Sequence, residues 1–210
     1  LPISIGVQGT DYTVASGTIT LKKLPAGAAT APIVVTTSGG VVASSYAFTV
    51  LPKTPTVTAL SPTVGAVGAT VVITGTEFFN VTNVTFNGTS ALSYTVNSAT
   101  QITAIVPPGG TTGAVTVTNT GATSATTQTF TVIPGISVFA PLTGTIGTVV
   151  SIHGTSFTGA TSVKFNGTSA GVAGVGYTII DDTHIDATVP AGTSSGHITI
   201  TTPSGTGSSA

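Results

Sequence analysis

The chain has 210 residues, room for one large domain or two to three small ones, yet only 4% of them are charged, against about 25% in an ordinary soluble domain. Its four basic residues are Lys22, Lys23, Lys53 and Lys164, with no arginine, so it cannot neutralise phosphates as a nucleic-acid binder does or attach to an anionic membrane through a polybasic patch. Cysteine is absent, which excludes disulfides and thiolate chemistry, and no apolar run reaches the length needed for membrane insertion.

Read from its start, Leu1-Pro2-Ile3-Ser4 has neither the basic nor the apolar region of a signal peptide; a mature product or an excised window would both begin this way. From there the chain reads as short strands. Thr, Val and Ile alternate with period two in Val71-Ile73-Gly75, Ile102-Ala104-Val106 and Val115-Val117, as half-buried pleated segments require. Gly and Pro clusters interrupt the chain every eight to twelve residues, the spacing of a sandwich or small barrel. Asn87-Gly88 and Asn166-Gly167, flanked by apolar residues, predict two-residue hairpin turns. No stretch sustains a helical period. The expected fold class is all-β.

The same landmarks return along the chain. Pro62, Gly65, Gly68, Val71, Ile73, Gly75 and Phe78 reappear as Pro141, Gly144, Gly147, Val150, Ile152, Gly154 and Phe157, each 79 residues later. Val84-Thr85-Phe86-Asn87-Gly88 returns as Val163-Lys164-Phe165-Asn166-Gly167 at that offset, whereas Tyr94 and Ile102-Thr103-Ala104 match Tyr177 and Ile185-Asp186-Ala187 at 83, so four residues are inserted around Gly171 to Gly174. The first fifty residues carry a partial copy: Leu24-Pro25-Ala26-Gly27 corresponds to Val106-Pro107-Pro108-Gly109, and Phe48-Thr49-Val50 to Phe130-Thr131-Val132. The expected division is therefore 1–51, a repeat lacking its first strands; 52–133, a complete repeat; and 134–210, a repeat lacking its last strand. Leu51-Pro52-Lys53-Thr54-Pro55 and Ile133-Pro134-Gly135 are the linkers, stiffened by proline. Leu51 to Pro55 also approaches a sortase signal but lacks its Gly and lies internally. Repeats cut at both ends suggest a window of a longer chain, or strands donated by neighbouring subunits.

The combination Ser61-Pro62-Thr63-x-Gly65-x-x-Gly68-x-x-Val71-x-Ile73-x-Gly75-x-x-Phe78, then Val84-x-Phe86-Asn87-Gly88, then Gln101-Ile102-x-Ala104-x-Val106-Pro107-x-Gly109 resembles the IPT/TIG family of Ig-like domains. The resemblance implies tandem early-set sandwiches of about seven strands. It leaves function open among surface and adhesin stalks, receptor ectodomains, accessory modules of polysaccharide-degrading enzymes and DNA-binding domains. The last branch uses basic loops that this chain does not have. Fold alone does not choose among the others.

Candidate chemistry is sparse. Asp181-Asp182-Thr183-His184-Ile185-Asp186 is the one acidic cluster; it could offer carboxylates to Ca²⁺ but lacks the alternate spacing and Gly of a calcium loop, and its counterpart Asn97 to Thr100 reads as a turn. His153, His184 and His197 are the three histidines; His153 replaces Thr74, His197 replaces Ala114, and both are expected to face solvent, so no metal site is expected. Glu77, the single glutamate, has Ser156 as counterpart, and no Gly-x-Ser-x-Gly elbow accompanies the many hydroxyls. Asn80, Asn83, Asn87 and Asn166 each open an N-glycosylation acceptor triplet, which a Thr-rich chain also produces by chance. Tyr94 and Tyr177 occupy equivalent places and read as core, while Phe79, opposite Thr158, reads as exposed.

The expectation is thus a non-enzyme without catalytic, cofactor or metal residues, located outside the cell or on its surface. Tandem repeats would form a stalk or filament, self-associating through a neutral, hydroxyl-covered exterior in a chain with 46 threonines, with a glycan or cell-surface partner. The alternatives are an accessory or carbohydrate-binding region of a larger secreted enzyme, and a virion fibre or decoration protein.

Overall fold

Residues 12–15, 18–21, 30–37, 39–49, 53–124 and 128–210 are described by the structure, a computed structural model. Lys22, Lys23, the Leu24-Pro25-Ala26-Gly27 match, Val50 and the Leu51-Pro52 part of the first linker lie outside the described residues. The chain forms two compact units, Leu1–Lys53 and Thr54–Ala210. In the first, β1 (Tyr12–Ala15) pairs with β2 (Thr18–Leu21), and β3 (Ala31–Thr37) with β4 (Gly40–Phe48), both antiparallel.

The second unit holds two sandwiches in succession. The first is built from β5 (Thr56–Ser61), β6 (Val64–Gly65), β7 (Thr70–Thr76), β8 (Val81–Phe86), β9 (Thr89–Ser90), β10 (Ser93–Ser98), β11 (Gln101–Ile105), β12 (Gly113–Asn119) and β13 (Thr129–Val132). Its sheets run β10-β11-β7-β5 and β6-β13-β12-β8-β9. The second sandwich comprises β14 (Gly135–Ala140), β15 (Val149–Thr155), β16 (Ser162–Phe165), β17 (Thr168–Ser169), β18 (Tyr177–Asp181), β19 (His184–Thr188), β20 (Ile198–Thr202) and β21 (Gly205–Ser208). Its sheets run β14-β15-β19-β18 and β17-β16-β20-β21. Among the described residues no helix is long and apolar enough to cross a membrane. The fold is all-β and Ig-like.

Alternation decides which residues meet between the layers. Val71 and Ile73 of β7, Ile102 and Ala104 of β11, Val84 and Phe86 of β8, and Val115 and Val117 of β12 are buried, and Phe130 packs edge-on against Phe86 at 5.4 Å between ring centroids. Val150, Ile152, Ile185, Ala187, Val163, Phe165, Ile198 and Ile200 fill the second core in the corresponding places. The Gly-x-x-Phe landmark follows from the same packing. Phe78 and Phe157 fold back into the core over Gly75 and Gly154; a Cβ on Gly75 would run into the Thr56 carbonyl and the Phe78 ring, and one on Gly154 into the Gly135 carbonyl and the Phe157 ring. Only glycine lets the first strand and the aromatic ring approach this closely.

The Asn-Gly turns are locked as well as bent. Asn87 and Asn166 take left-handed φ values of 45° and 43°, which asparagine tolerates better than most residues. Asn87 Nδ2 donates to Thr111 Oγ1 (2.8 Å) and Asn166 Nδ2 to Ser194 Oγ (2.7 Å). Both side chains lie directly over glycines, Gly113 and Gly196, whose missing Cβ makes the space.

The two sandwiches join through Ile133-Pro134-Gly135, where Gly135 already opens β14. The β20–β21 hairpin packs on this joint: Gly207 lies against the Pro134 carbonyl, and Gly205 against the Ile133 side chain. From the first sandwich, the Thr112 hydroxyl accepts from Val132 N (2.9 Å) and has Ser204 Oγ and Val132 O as alternative acceptors, each at 3.4 Å. The linker is therefore part of the packed structure.

Candidate functional site

Cross-strand register, more than sequence spacing, determines which chemistry-bearing residues meet. On β15 and β19, His153 pairs with His184 and Ser151 with Asp186. Their inward neighbours Ile152 and Ile185 are fully buried, so these four polar residues share the outer face of the β14-β15-β19-β18 sheet. The imidazoles stack, 4.4 Å between centroids and 19° between planes. Ser151 Oγ lies 2.8 Å from His184 Nε2 and 3.3 Å from His153 Nε2, and His184 Nε2 lies 3.1 Å from Asp186 Oδ1. The side chains of His184 and Asp186 are 26% and 39% exposed, so the pair is screened by water. The corresponding positions of the first sandwich hold Val72, Thr74, Gln101 and Thr103, in the same register.

A serine, a histidine and an aspartate in contact invite comparison with a hydrolytic triad. The connectivity differs. In a triad the serine and the carboxylate sit on opposite ring nitrogens, so that one takes the proton while the other orients the ring. Here both converge on Nε2 of His184. A single nitrogen either donates to Asp186 or accepts from Ser151, so the relay is not assembled. Among the described residues no group of three or more His, Asp or Glu is arranged to hold an ion.

The acidic run spreads its carboxylates over three separate tasks. Asp181 Oδ1 accepts from the Thr183 hydroxyl and from Thr183 N, both at 2.7 Å. These bonds, the hydroxyl first, hold its carboxyl below the ordinary value of 3.8. Asp182 accepts from Thr158 N (3.0 Å) and Ser156 N (3.3 Å), clamping the loop after β15. Asp186 faces His184. The turn reading of the sequence describes Asp181 well: in the first sandwich Ser98 Oγ accepts from Thr100 N (3.2 Å) in the same place.

The remaining candidates fall where packing puts them. His153 and His197 are exposed, and His197, just before β20, is not part of the His153–His184 stack. Glu77 occupies left-handed backbone at φ 59°, as its counterpart Ser156 does at 60°. Tyr177 is buried, its hydroxyl donating to Ala160 O (3.1 Å), and burial pushes its phenol above the ordinary value of 10.0. Tyr94 is half-buried and donates to Val81 O at 3.3 Å. Phe79 is half-buried, more covered than the sequence suggested, while Tyr46 on β4 stands 84% exposed. What sequence reading missed is the meeting of His153 with His184. Aligning each with its counterpart, Thr74 and Gln101, places both on strands that pair in an Ig-like sheet, and that was the available signal.

The family model of the IPT/TIG domain matches residues 55–132 and 134–210. No curated protein matches the chain. Among solved structures it is similar to SGBP-B from a complex xyloglucan utilization locus of Bacteroides uniformis (23% identity, TM-score 0.34, covering 74% of this chain and 48% of that one). It is similar to the surface glycan-binding protein PbSGBP-B of Prevotella bryantii (16%, 0.38, 76% and 42%). It is also similar to the full extracellular region of plexin A4 (19%, 0.35, 82% and 16%). The chain spans less than half the length of each of these three.

Proposed function

This chain belongs to the IPT/TIG domain family, and from that premise we propose that it is a structural or adhesive element working outside a cell or on its surface, whose tandem Ig-like sandwiches form a stalk or filament. The observation that carries the reading is the joint. A spacer fixes distance only if its modules do not swing, and here a two-residue connection, Ile133-Pro134, is overlaid by the β20–β21 hairpin, whose Ser204 Oγ lies 3.4 Å from Thr112 Oγ1.

The exterior supports the same reading. Cross-strand threonine hydroxyls bond to each other in the pairs Thr56–Thr76 (2.7 Å), Thr85–Thr116 (2.7 Å), Thr118–Thr123 (2.9 Å) and Thr201–Thr206 (2.8 Å). Such a surface is polar without net repulsion, which suits close lateral packing against a second copy or against glycan.

Electron microscopy of the purified protein tests the proposal. Fibres or end-to-end rods with a constant axial repeat are expected. Dispersed monomers that are retained by immobilised polysaccharide would instead favour an accessory glycan-binding module.

A further inference from the structure

Four asparagines open an acceptor triplet for N-linked glycan, and the fold treats them unequally. Asn83 Nδ2 donates to Ser90 Oγ (3.1 Å), Asn87 Nδ2 to Thr111 Oγ1 (2.8 Å) and Asn166 Nδ2 to Ser194 Oγ (2.7 Å). In Asn87 and Asn166 the amide also lies directly over a glycine. A sugar on any of these nitrogens would have to be fitted beside the hydrogen-bond partner the nitrogen already holds.

Asn80 differs on each count. It precedes β8, is exposed, and its side chain makes no hydrogen bond among the described residues. Its backbone is left-handed, φ 50°, where the second sandwich has Gly159 at 76°. Thr82, the hydroxyl residue of the triplet, is exposed, its hydroxyl making only a 3.3 Å contact to Thr118 O. We infer that Asn80 is the glycan acceptor of this chain, modified by a transferase that uses a polyprenyl-pyrophosphate-linked oligosaccharide. The Asn80 amide nitrogen forms a bond to the anomeric carbon, the bond from that carbon to the pyrophosphate oxygen breaks, polyprenyl pyrophosphate leaves, and the amide gives up one proton. No electron donor or acceptor is involved. On a surface with so few charges, a glycan there supplies hydration beside the half-covered Phe79.

The test is secretion of the 210-residue chain from a eukaryotic cell line, which supplies both transferase and lipid-linked donor, with intact mass read before and after peptide N-glycosidase. One glycan, mapped to Asn80, is expected. It should vanish in Asn80→Gln and in Thr82→Ala, and persist in Asn87→Gln and Asn166→Gln. Because Thr82→Ala keeps asparagine in its left-handed turn, loss of the glycan there cannot be put down to a disturbed backbone. An unmodified chain, or a glycan on Asn83, Asn87 or Asn166 in place of Asn80, would overturn the assignment.

Discussion

The two sandwiches of the second unit agree closely inside and disagree outside. Val71, Ile73, Phe78, Phe86 and Ile102 are matched by Val150, Ile152, Phe157, Phe165 and Ile185, all buried. One atom layer away, Val72, Thr74, Gln101 and Thr103 face Ser151, His153, His184 and Asp186 across the copies. Packing density ties the inward set, since each of those side chains touches several others in a closed space. Nothing comparable ties the outward set. The consequence for function is direct: a polar constellation on the free face is cheap for the fold to carry, and it counts as a site only if its geometry meets the demands of a reaction. The histidine stack does not assemble a serine–histidine–carboxylate relay, since Ser151 and Asp186 share one nitrogen of His184.

The equivalence of the two interiors can be broken most severely at their aromatic plugs. Phe78→Ala and Phe157→Ala should each cost about 3–5 kcal/mol in denaturant-unfolding stability, and a loss confined to one of them would show that the copies do not share an architecture. Gly154→Ala, which drives a Cβ into the Gly135 carbonyl and the Phe157 ring, should cost about 1–3 kcal/mol, with the same result at Gly75. A smaller difference separates the tyrosines. Tyr177→Phe leaves the Ala160 carbonyl without its 3.1 Å donor inside the core and should cost about 1 kcal/mol. Tyr94→Phe, at a longer and wetter bond, should cost less. Equal costs would mean that the insertion before Tyr177 has not changed its surroundings.

The smallest effect is acid-dependent. The Asp181 carboxyl titrates below 3.8 in the folded chain because Thr183 donates to it twice, so its contribution to stability is present above the unfolded value and is lost as the pH falls through the folded one. Asp181→Ser, the residue of the first sandwich at that place, should flatten the acid limb of a denaturation-midpoint-against-pH curve below about pH 4. An unchanged limb would assign the acid sensitivity elsewhere.

Much of this fold is legible in the sequence because its landmarks are steric. Gly75 and Gly154 announce a close approach, Asn87-Gly88 and Asn166-Gly167 announce turns, and the Val-x-Ile alternation announces a buried face. Pairing across strands is less legible. His153 and His184 are 31 residues apart in the chain, and the offset between copies changes from 79 to 83 between them, which hides their shared register. The glycines beneath the asparagine side chains, Gly113 and Gly196, were equally silent, because their role depends on a hairpin that lies elsewhere in the sequence. The hairpin of the first unit illustrates what register reveals. Thr36 pairs with Val41 and Ala31 with Phe48, as Thr118 pairs with Thr123 and Gly113 with Phe130, 82 residues later. Yet Val35 is only half-buried where Val117 is fully buried.

The proposed role rests on shape and spacing, with the outer patch as passive surface. Replacing Ser151, His153, His184 and Asp186 together by the valine, threonine, glutamine and threonine of the first sandwich tests it most directly. Micrographs of the substituted and native proteins should show the same rods with the same axial repeat, with stability changed by no more than about 0.5 kcal/mol per site. Rods that disappear on substitution, or a hydrolytic activity of the native chain that the four changes abolish, would contradict it.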